Sequence, residues 1–190
     1  MKMAEIRELP VSQEIAWAAL NDISLLQLCI PGCESIEEKA DGEYELHITA
    51  AVGPIKAKFK GKMKMKNPSP PSSYVLEFNG QGGAVGYGRG EASVNLTSIE
   101  PEKTQLSYSV EASVGGKLAQ VGARLIDMAA KKMAGEFFDA FVAELSKKSS
   151  TGQGNLQAEA LPNEEKPTGD GKIWARSVAW ISKSIGKSDA

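Results

Sequence analysis

The chain has 190 residues, with 22 basic and 24 acidic side chains and a net charge of −2. That length suits one domain with an appendage, and the balanced charge argues against nucleic acid as a partner. No stretch approaches 18 uninterrupted apolar residues, and the apolar run near the N-terminus is broken by Asn21 and Asp22; with only two cysteines, this predicts neither a membrane-spanning helix nor a secretory signal, and a reducing cytoplasm as the setting.

Residues 2–9 alternate and predict a strand that Pro10 ends. Ser12 is a helix N-cap, and Ile15, Trp17, Ala18 and Leu20 supply an apolar face. A second short helix restarts at Asp22 or Ser24, runs through Leu25, Leu26 and Leu28, and stops at Ile30-Pro31-Gly32. Cys33 to Lys39 reads as a strand, with Asp41-Gly42 as a hairpin turn. Tyr44, Leu46, Ile48, Ala50 and Val52 then alternate with polar residues up to a Gly53-Pro54 turn. After it, Ile55, Ala57, Phe59, Gly61, Met63 and Met65 alternate with Lys56, Lys58, Lys60, Lys62, Lys64 and Lys66. Period two predicts a long strand with six lysines on its outer face, a row spanning roughly 33 Å. Two readings of that row stay open: a solvated face whose lysines oppose aggregation, or a docking stripe for an anionic membrane or acidic partner.

Asn67 to Ser73 is a proline-rich turn, and Tyr74, Leu76 and Phe78 begin the next strand. Residues 80–90, GQGGAVGYGRG, hold six glycines. They form no Walker loop, which needs a closing Gly-Lys-Ser/Thr, and no dinucleotide fingerprint, because a strand follows where a helix is required. A sharp hairpin and a mobile lip over a cavity both fit. Glu91 to Thr97 and Thr104 to Val114 complete the sheet, with Ala92, Val94, Leu96, Leu106, Tyr108, Val110, Ala112 and Val114 facing inward.

Gly115 to Lys148 predicts one long helix whose stripe is Leu118, Val121, Leu125, Ala129, Met133, Phe137, Phe141 and Leu145. Gly122, Ala129 and Ala130 thin that stripe, leaving room for close packing or for a ligand. Arg124 and Asp127 are spaced for an i, i+3 ion pair. Residues 149–171 turn polar and read as a flexible linker. Residues 172–187, KIWARSVAWISKSIGK, form a basic amphipathic helix. Trp174, Trp180, Ile181 and Ile185 lie on its apolar side, and Arg176 and Lys183 on its cationic side, the pattern of an interfacial membrane helix. Folding back on the domain and docking on a partner are the other readings. The organisation expected is thus a ligand-binding domain over 1–148, a linker over 149–171 and a membrane-binding helix over 172–187.

Chemistry-bearing residues are scarce. The single histidine, His47, falls on an outer strand face, which supplies neither a triad nor a zinc site. Cys29 and Cys33 flank Pro31-Gly32 with a spacing that is neither a redox pair nor a metal knuckle. Tyr87, Arg89 and Tyr108 are the polar groups nearest the inward face. No metal site and no catalytic residue is expected, and the inward face suits a hydrophobic ligand.

Four segments in order, IPGCE (30–34), VGPIKAKFKG (52–61), GQGGAVGYGRGEA (80–92) and VGGKLAQVGARLID (114–127), resemble the carbon monoxide dehydrogenase G-subunit (CoxG) family. The similarity spans roughly residues 1–146 and implies the START-like (SRPBCC, Bet v 1-like) superfamily. The fold so implied is an α+β helix-grip: a curved antiparallel sheet of about seven strands around a long C-terminal helix, with two short helices after the first strand. The resemblance also implies a non-enzymatic, peripheral protein on the inner face of the cytoplasmic membrane. Its implied partner is a molybdenum hydroxylase of the carbon monoxide dehydrogenase type. Its implied ligand is a respiratory quinone, menaquinone or ubiquinone, held in an apolar cavity without covalent attachment. Candidate cavity residues are Phe59, Met63, Phe78, Tyr87, Tyr108, Leu118, Val121, Gly122, Leu125 and Met133. Two alternatives remain: a recruitment anchor without a ligand, and a lipid- or polyketide-type enzyme of the same superfamily.

Overall fold

The computed structural model describes residues 1–152; the rest of the expected linker and the tail helix 172–187, with Trp174, Arg176, Trp180, Ile181, Lys183 and Ile185, lie outside the described residues. Strand β1 (Lys2–Leu9) leads into α1 (Gln13–Leu20) and α2 (Ile23–Cys29). Each short helix is capped by its preceding side chain. Ser12 accepts a hydrogen bond from the Ile15 amide, and Asp22 one from the Leu25 amide at 3.1 Å, so the second helix starts at Asp22 rather than Ser24. A meander follows: β2 (Cys33–Ala40), β3 (Glu43–Val52), β4 (Ile55–Ser69), β5 (Ser73–Gln81), β6 (Tyr87–Glu100) and β7 (Lys103–Gly115). β1 pairs with β7, so the seven-stranded antiparallel sheet has the order β1-β7-β6-β5-β4-β3-β2.

The expected strands are present, several of them longer. β4 continues past Lys66 through Asn67, whose φ of 49° gives the irregular register before Ser69; asparagine tolerates that left-handed backbone. The glycine-rich stretch closes as a tight connection. A single 3-10 turn (Gly83–Val85) bridges β5 and β6, and the Gly82 amide donates to the Gly86 carbonyl at 2.7 Å.

The long helix differs at its start. Residues Gly116–Val121 form a 3-10 segment, and α3 spans Ala123–Gly152 rather than beginning at Gly115. Gly116 (φ +75°) and Gly122 (φ +92°) adopt left-handed backbone that cannot continue a right-handed α-helix. The three-residue spacing of Leu118 and Val121 fits the tighter turn as well as it fits an α-helical stripe.

The core gathers at one end of α3. Phe138, Phe141 and Leu145 pack with Leu9, Val11, Leu20, Leu25, Leu96 and Leu106. Thr104, buried among them, donates its hydroxyl to the Val11 carbonyl at 2.8 Å. Along the same helix the first turns are bare: Leu125 is 39% and Met128 58% exposed. The sheet therefore holds α3 tightly by its C-terminal half and stands away from its N-terminal half.

Candidate functional site

The gap between sheet and helix follows from which residues the strand registers bring together. On the inward face, Gly61 of β4, Gly80 of β5 and Gly88 of β6 lie side by side in one rung. The next rung is Met63, Phe78, Gly90 and Ala112, and the one beyond it Met65, Leu76, Ala92 and Val110. A rung of three glycines removes every side chain from the middle of a sheet face that would otherwise meet the helix. A Cβ built at Gly80 meets no atom within 4 Å. Opposite that rung, α3 presents Ala129 and Ala130. Small residues on both surfaces leave the space open.

Two chambers result, end to end along the same face. The inner one, about 230 Å³, is enclosed by Met63, Met65, Leu76, Ala92, Tyr108 and Phe137. The outer one, about 490 Å³, lies between Phe78, Gly88, Ala112 and Val114 of the sheet and Ala130 and Met133 of the helix, with Leu118 at its end. Phe78 and Met133 of the outer chamber stand one register step and one helical turn from Leu76 and Phe137 of the inner one, so the two chambers are neighbours. Gly90 makes room for the Phe78 ring, since a Cβ there would lie 2.7 Å from Cζ.

The inner chamber is apolar except for Asn21 and the phenols of Tyr44, Tyr74 and Tyr108. Tyr74 packs edge-on to Trp17, with centroids 5.6 Å apart, and burial pushes its hydroxyl well above the ordinary tyrosine range. Tyr108 stacks on Phe138 with centroids 5.1 Å apart. Its buried hydroxyl has no well-formed hydrogen bond, and desolvation, reinforced by the nearby Glu5 carboxylate, raises its pKa to about 12.

Of the expected cavity residues, Met63 and Tyr108 line the inner chamber, and Phe78, Leu118 and Met133 the outer one. Phe59 packs instead over Gly82, where an added Cβ would meet its Cε1 at 2.6 Å. Tyr87 pairs with Gly115 on the opposite, outer face and is 42% exposed, because strand alternation turns it away from inward-facing Gly88. Val121 and Gly122 belong to the backbone corner before α3, and Leu125 leans on Gly53 outside the cavity. The corner rotates the helix so that Ile126, not Leu125, faces the chamber.

Sequence reasoning missed an inversion in β1. The register sets Glu5 opposite Tyr108 and Arg7 opposite Leu106, so both charged residues face inward while Ile6 is 63% exposed. Glu5 and Arg7 pair at 2.7 Å, and the Arg7 guanidinium lies 5.6 Å from the Phe138 ring centroid. The signal was present in the order Ala4, Glu5, Ile6, Arg7, but it needs the pairing with β7 to reveal which face is which.

The lysine row of β4 is on the outer face, and most of it is neutralised. Lys58 pairs with Glu34 at 2.9 Å, Lys60 with Glu45 at 3.0 Å, Lys64 with Glu43 at 2.6 Å, and Lys66 with Glu77. Hydrogen bonds from these lysines hold Glu34, Glu43 and Glu45 below the ordinary carboxylate range. This favours a solvated, cross-paired face over a docking stripe. His47 shares that face and contacts Ser35 at 3.0 Å. No ion pair joins Arg124 to Asp127: Asp127 turns to the outer chamber. Among the described residues, no group of three His, Cys, Asp or Glu side chains could hold a metal ion, and no helix is long and apolar enough to cross a membrane.

The chain is similar to known proteins over most of its length. The family model for the carbon monoxide dehydrogenase G-subunit (CoxG) matches residues 8–146. A conserved protein from Geobacillus kaustophilus is 33% identical in a solved structure, with a TM-score of 0.74, covering 78% of this chain and 97% of that one. The Zhui aromatase/cyclase from Streptomyces sp. R1128 shares the fold at 12% identity, with a TM-score of 0.63 over 82% of this chain and 99% of its own. A START superfamily protein from Mycobacterium smegmatis does so at 12% identity, with a TM-score of 0.60 over 77% and 98%. No curated protein matches the chain.

Proposed function

The chain belongs to the carbon monoxide dehydrogenase G-subunit (CoxG) family, with the START-like helix-grip fold, and from that membership we propose that it is a carrier and adaptor rather than an enzyme. In this reading it serves a molybdenum hydroxylase of the carbon monoxide dehydrogenase type at the inner face of the cytoplasmic membrane. Its cavity holds a hydrophobic ligand, a respiratory quinone such as menaquinone or ubiquinone, and the basic segment 172–187 brings the domain to the bilayer.

The observation that carries the reading is the pair of chambers between the sheet and α3, the outer one bordered by Gly88 of the glycine rung. The outer chamber, about 490 Å³, falls in the range of small-molecule sites, which are mostly apolar with few polar groups; the inner one, about 230 Å³, is smaller than such sites usually are. The lining fits a quinone's apolar portion: aliphatic, aromatic and thioether side chains for the isoprenoid chain and the ring faces. When bound, a quinone supplies a two-electron, two-proton acceptor. The chain's own residues would bind it, exclude water and orient it. Tyr108 keeps its proton at neutral pH because its pKa stands at about 12, so it acts as a hydrogen-bond donor and not as a base. The inward residues Glu5 and Arg7 pair at 2.7 Å, although the buried Arg7 Nε has no partner; among the described residues no acid, base and nucleophile converge in the way a hydrolase or cyclase would need.

The test is organic extraction and mass spectrometry of protein purified from its own host. A stoichiometric quinone is the expected result. A ligand-free protein that still associates with its dehydrogenase would replace the carrier reading with that of a plain anchor. Removal of residues 172–190 should release the protein from liposomes, and undiminished binding would sink the role given to the tail.

A further inference from the structure

The described domain carries a second basic surface, distinct from the β4 lysine row and different in kind. It is the solvent side of the 3-10 segment and the first turns of α3. Here Leu125 and Met128 are 39% and 58% exposed at i, i+3 spacing, side by side on the helix. Arg124 and Lys131 flank Met128 at i−4 and i+3 on the helix, and Lys117 lies on the 3-10 segment before it; all three are exposed and have no ion-pair partner among the described residues. Lys132 joins them and pairs only with Glu136, at 3.6 Å. The one carboxylate of these turns, Asp127, is turned to the cavity and does not offset the charge outside. The β4 row shows the contrast: there the lysines are cross-paired to glutamates and no large apolar side chain stands among them.

We propose that this face is a membrane contact of the folded domain, which lays Leu125 and Met128 into the interface of an anionic bilayer with Lys117, Arg124 and Lys131 on the headgroups. The proposal rests on the reading that the cavity exchanges its ligand with a bilayer. The same helix turns that form this face roof the outer chamber through Ala123, Ile126 and Ala130. Exposed apolar side chains at the centre of a cationic ring suit a lipid interface, where the apolar groups are buried and the cations meet phosphates. An acidic protein would match the cations but gain less from an i, i+3 apolar pair at the centre. The positive helix end adds to the field, since α3 begins at Ala123 directly beside these residues.

The test uses the full-length protein and vesicles of phosphatidylcholine with and without phosphatidylglycerol. Two variants address the face, the charge reversal Lys117→Glu/Arg124→Glu/Lys131→Glu and the double substitution Leu125→Asp/Met128→Asp. A charge-matched reversal on the sheet, Lys60→Glu/Lys62→Glu/Lys66→Glu, is the control. Each cation near an anionic surface contributes about fivefold in affinity, so the triple variant should bind phosphatidylglycerol vesicles at least about tenfold more weakly, and the apolar double variant should weaken as well. The sheet control should bind as the wild type does. The proposal is overturned if both face variants bind like the wild type, if the control loses as much, if the wild type binds neither vesicle, or if only association with the dehydrogenase falls. Quinone content of the same preparations reads the cavity assignment separately: a normal quinone load with unaltered vesicle binding in the variants refutes this face alone. Leu125 leans on Gly53, and Lys60 and Lys66 of the control pair with Glu45 and Glu77, so a cooperative thermal transition is required of each variant before its binding is compared.

Discussion

A Cβ built at Gly80 meets nothing within 4 Å, and the residue lacks the left-handed backbone of Gly83 or Gly86. A side chain there grows into open space on the inward face, beside Gly88 of the outer chamber, instead of into protein. Gly80→Leu should therefore change stability by no more than about 0.5 kcal/mol while the quinone recovered by extraction falls about tenfold; a full ligand load would place the ligand elsewhere. The neighbouring Gly90 behaves differently, because a Cβ would lie 2.4 Å from the Glu111 carbonyl oxygen and 2.7 Å from Phe78. Gly90→Ala should cost about 1–3 kcal/mol in denaturant unfolding. At Thr104, fully buried and bonded to the Val11 carbonyl at 2.8 Å, the isosteric change to Val leaves that carbonyl unpaired. Denaturation should show a loss of about 1–3 kcal/mol.

At the scale of the element, α3 divides into two functional halves. Its C-terminal half is structural: Phe141 and Leu145 are completely buried, and Phe141 stacks on Phe137 with centroids 5.6 Å apart. Phe141→Ala should cost about 3–5 kcal/mol, whereas Leu125→Ala in the N-terminal half should stay within about 0.5 kcal/mol; equal losses would show that the helix is held uniformly. The division follows from the sheet below. Where the strands carry Leu96, Leu106 and Tyr108 they meet the helix, and where they carry Gly61, Gly80 and Gly88 they do not. β1 makes the opposite exchange, turning Glu5 and Arg7 inward beside the helix and Ile6 out to solvent.

For the whole molecule, charge and burial set opposite ends of the pH range. On the acid side, Glu34, Glu43 and Glu45 are held low by Lys58, Lys64 and Lys60. Their contribution is present above the ordinary carboxylate pKa and is lost as pH falls through the lowered values; since all three pairs are exposed, the loss is small. On the alkaline side, the Tyr108 pKa is raised to about 12 and that of Tyr74 is raised as well. In the unfolded chain tyrosine ionises near pH 10 (about 10 for the free side chain), while the folded protein keeps these protons. The unfolded state then binds fewer protons, so stability should decline as pH rises from about 10 toward 12. Urea midpoints measured across that window should fall, and Tyr108→Phe should flatten the decline; an unchanged slope would mean that Tyr108 titrates normally.

Strands, turns and helix caps were legible because they depend on neighbours in sequence. The unbroken alternation from Ile55 to Lys66 could be nothing but a strand, and Ser12 caps α1 through a bond to a residue three positions away. The likeness to the CoxG family rested on four short segments, all of which lie within the family match over residues 8–146. What only the tertiary structure decided is where empty space lies and which surfaces are neutralised. The glycine rung exists because register sets residues 61, 80 and 88 side by side. The lysine row is cross-paired because β2, β3 and β5 bring glutamates against it. Leu125 left the cavity because two left-handed glycines turned the chain before the helix began. The first two are relations between residues distant in sequence, fixed by pairing; the third is a local backbone turn whose effect on the cavity shows only once the helix is set against the sheet.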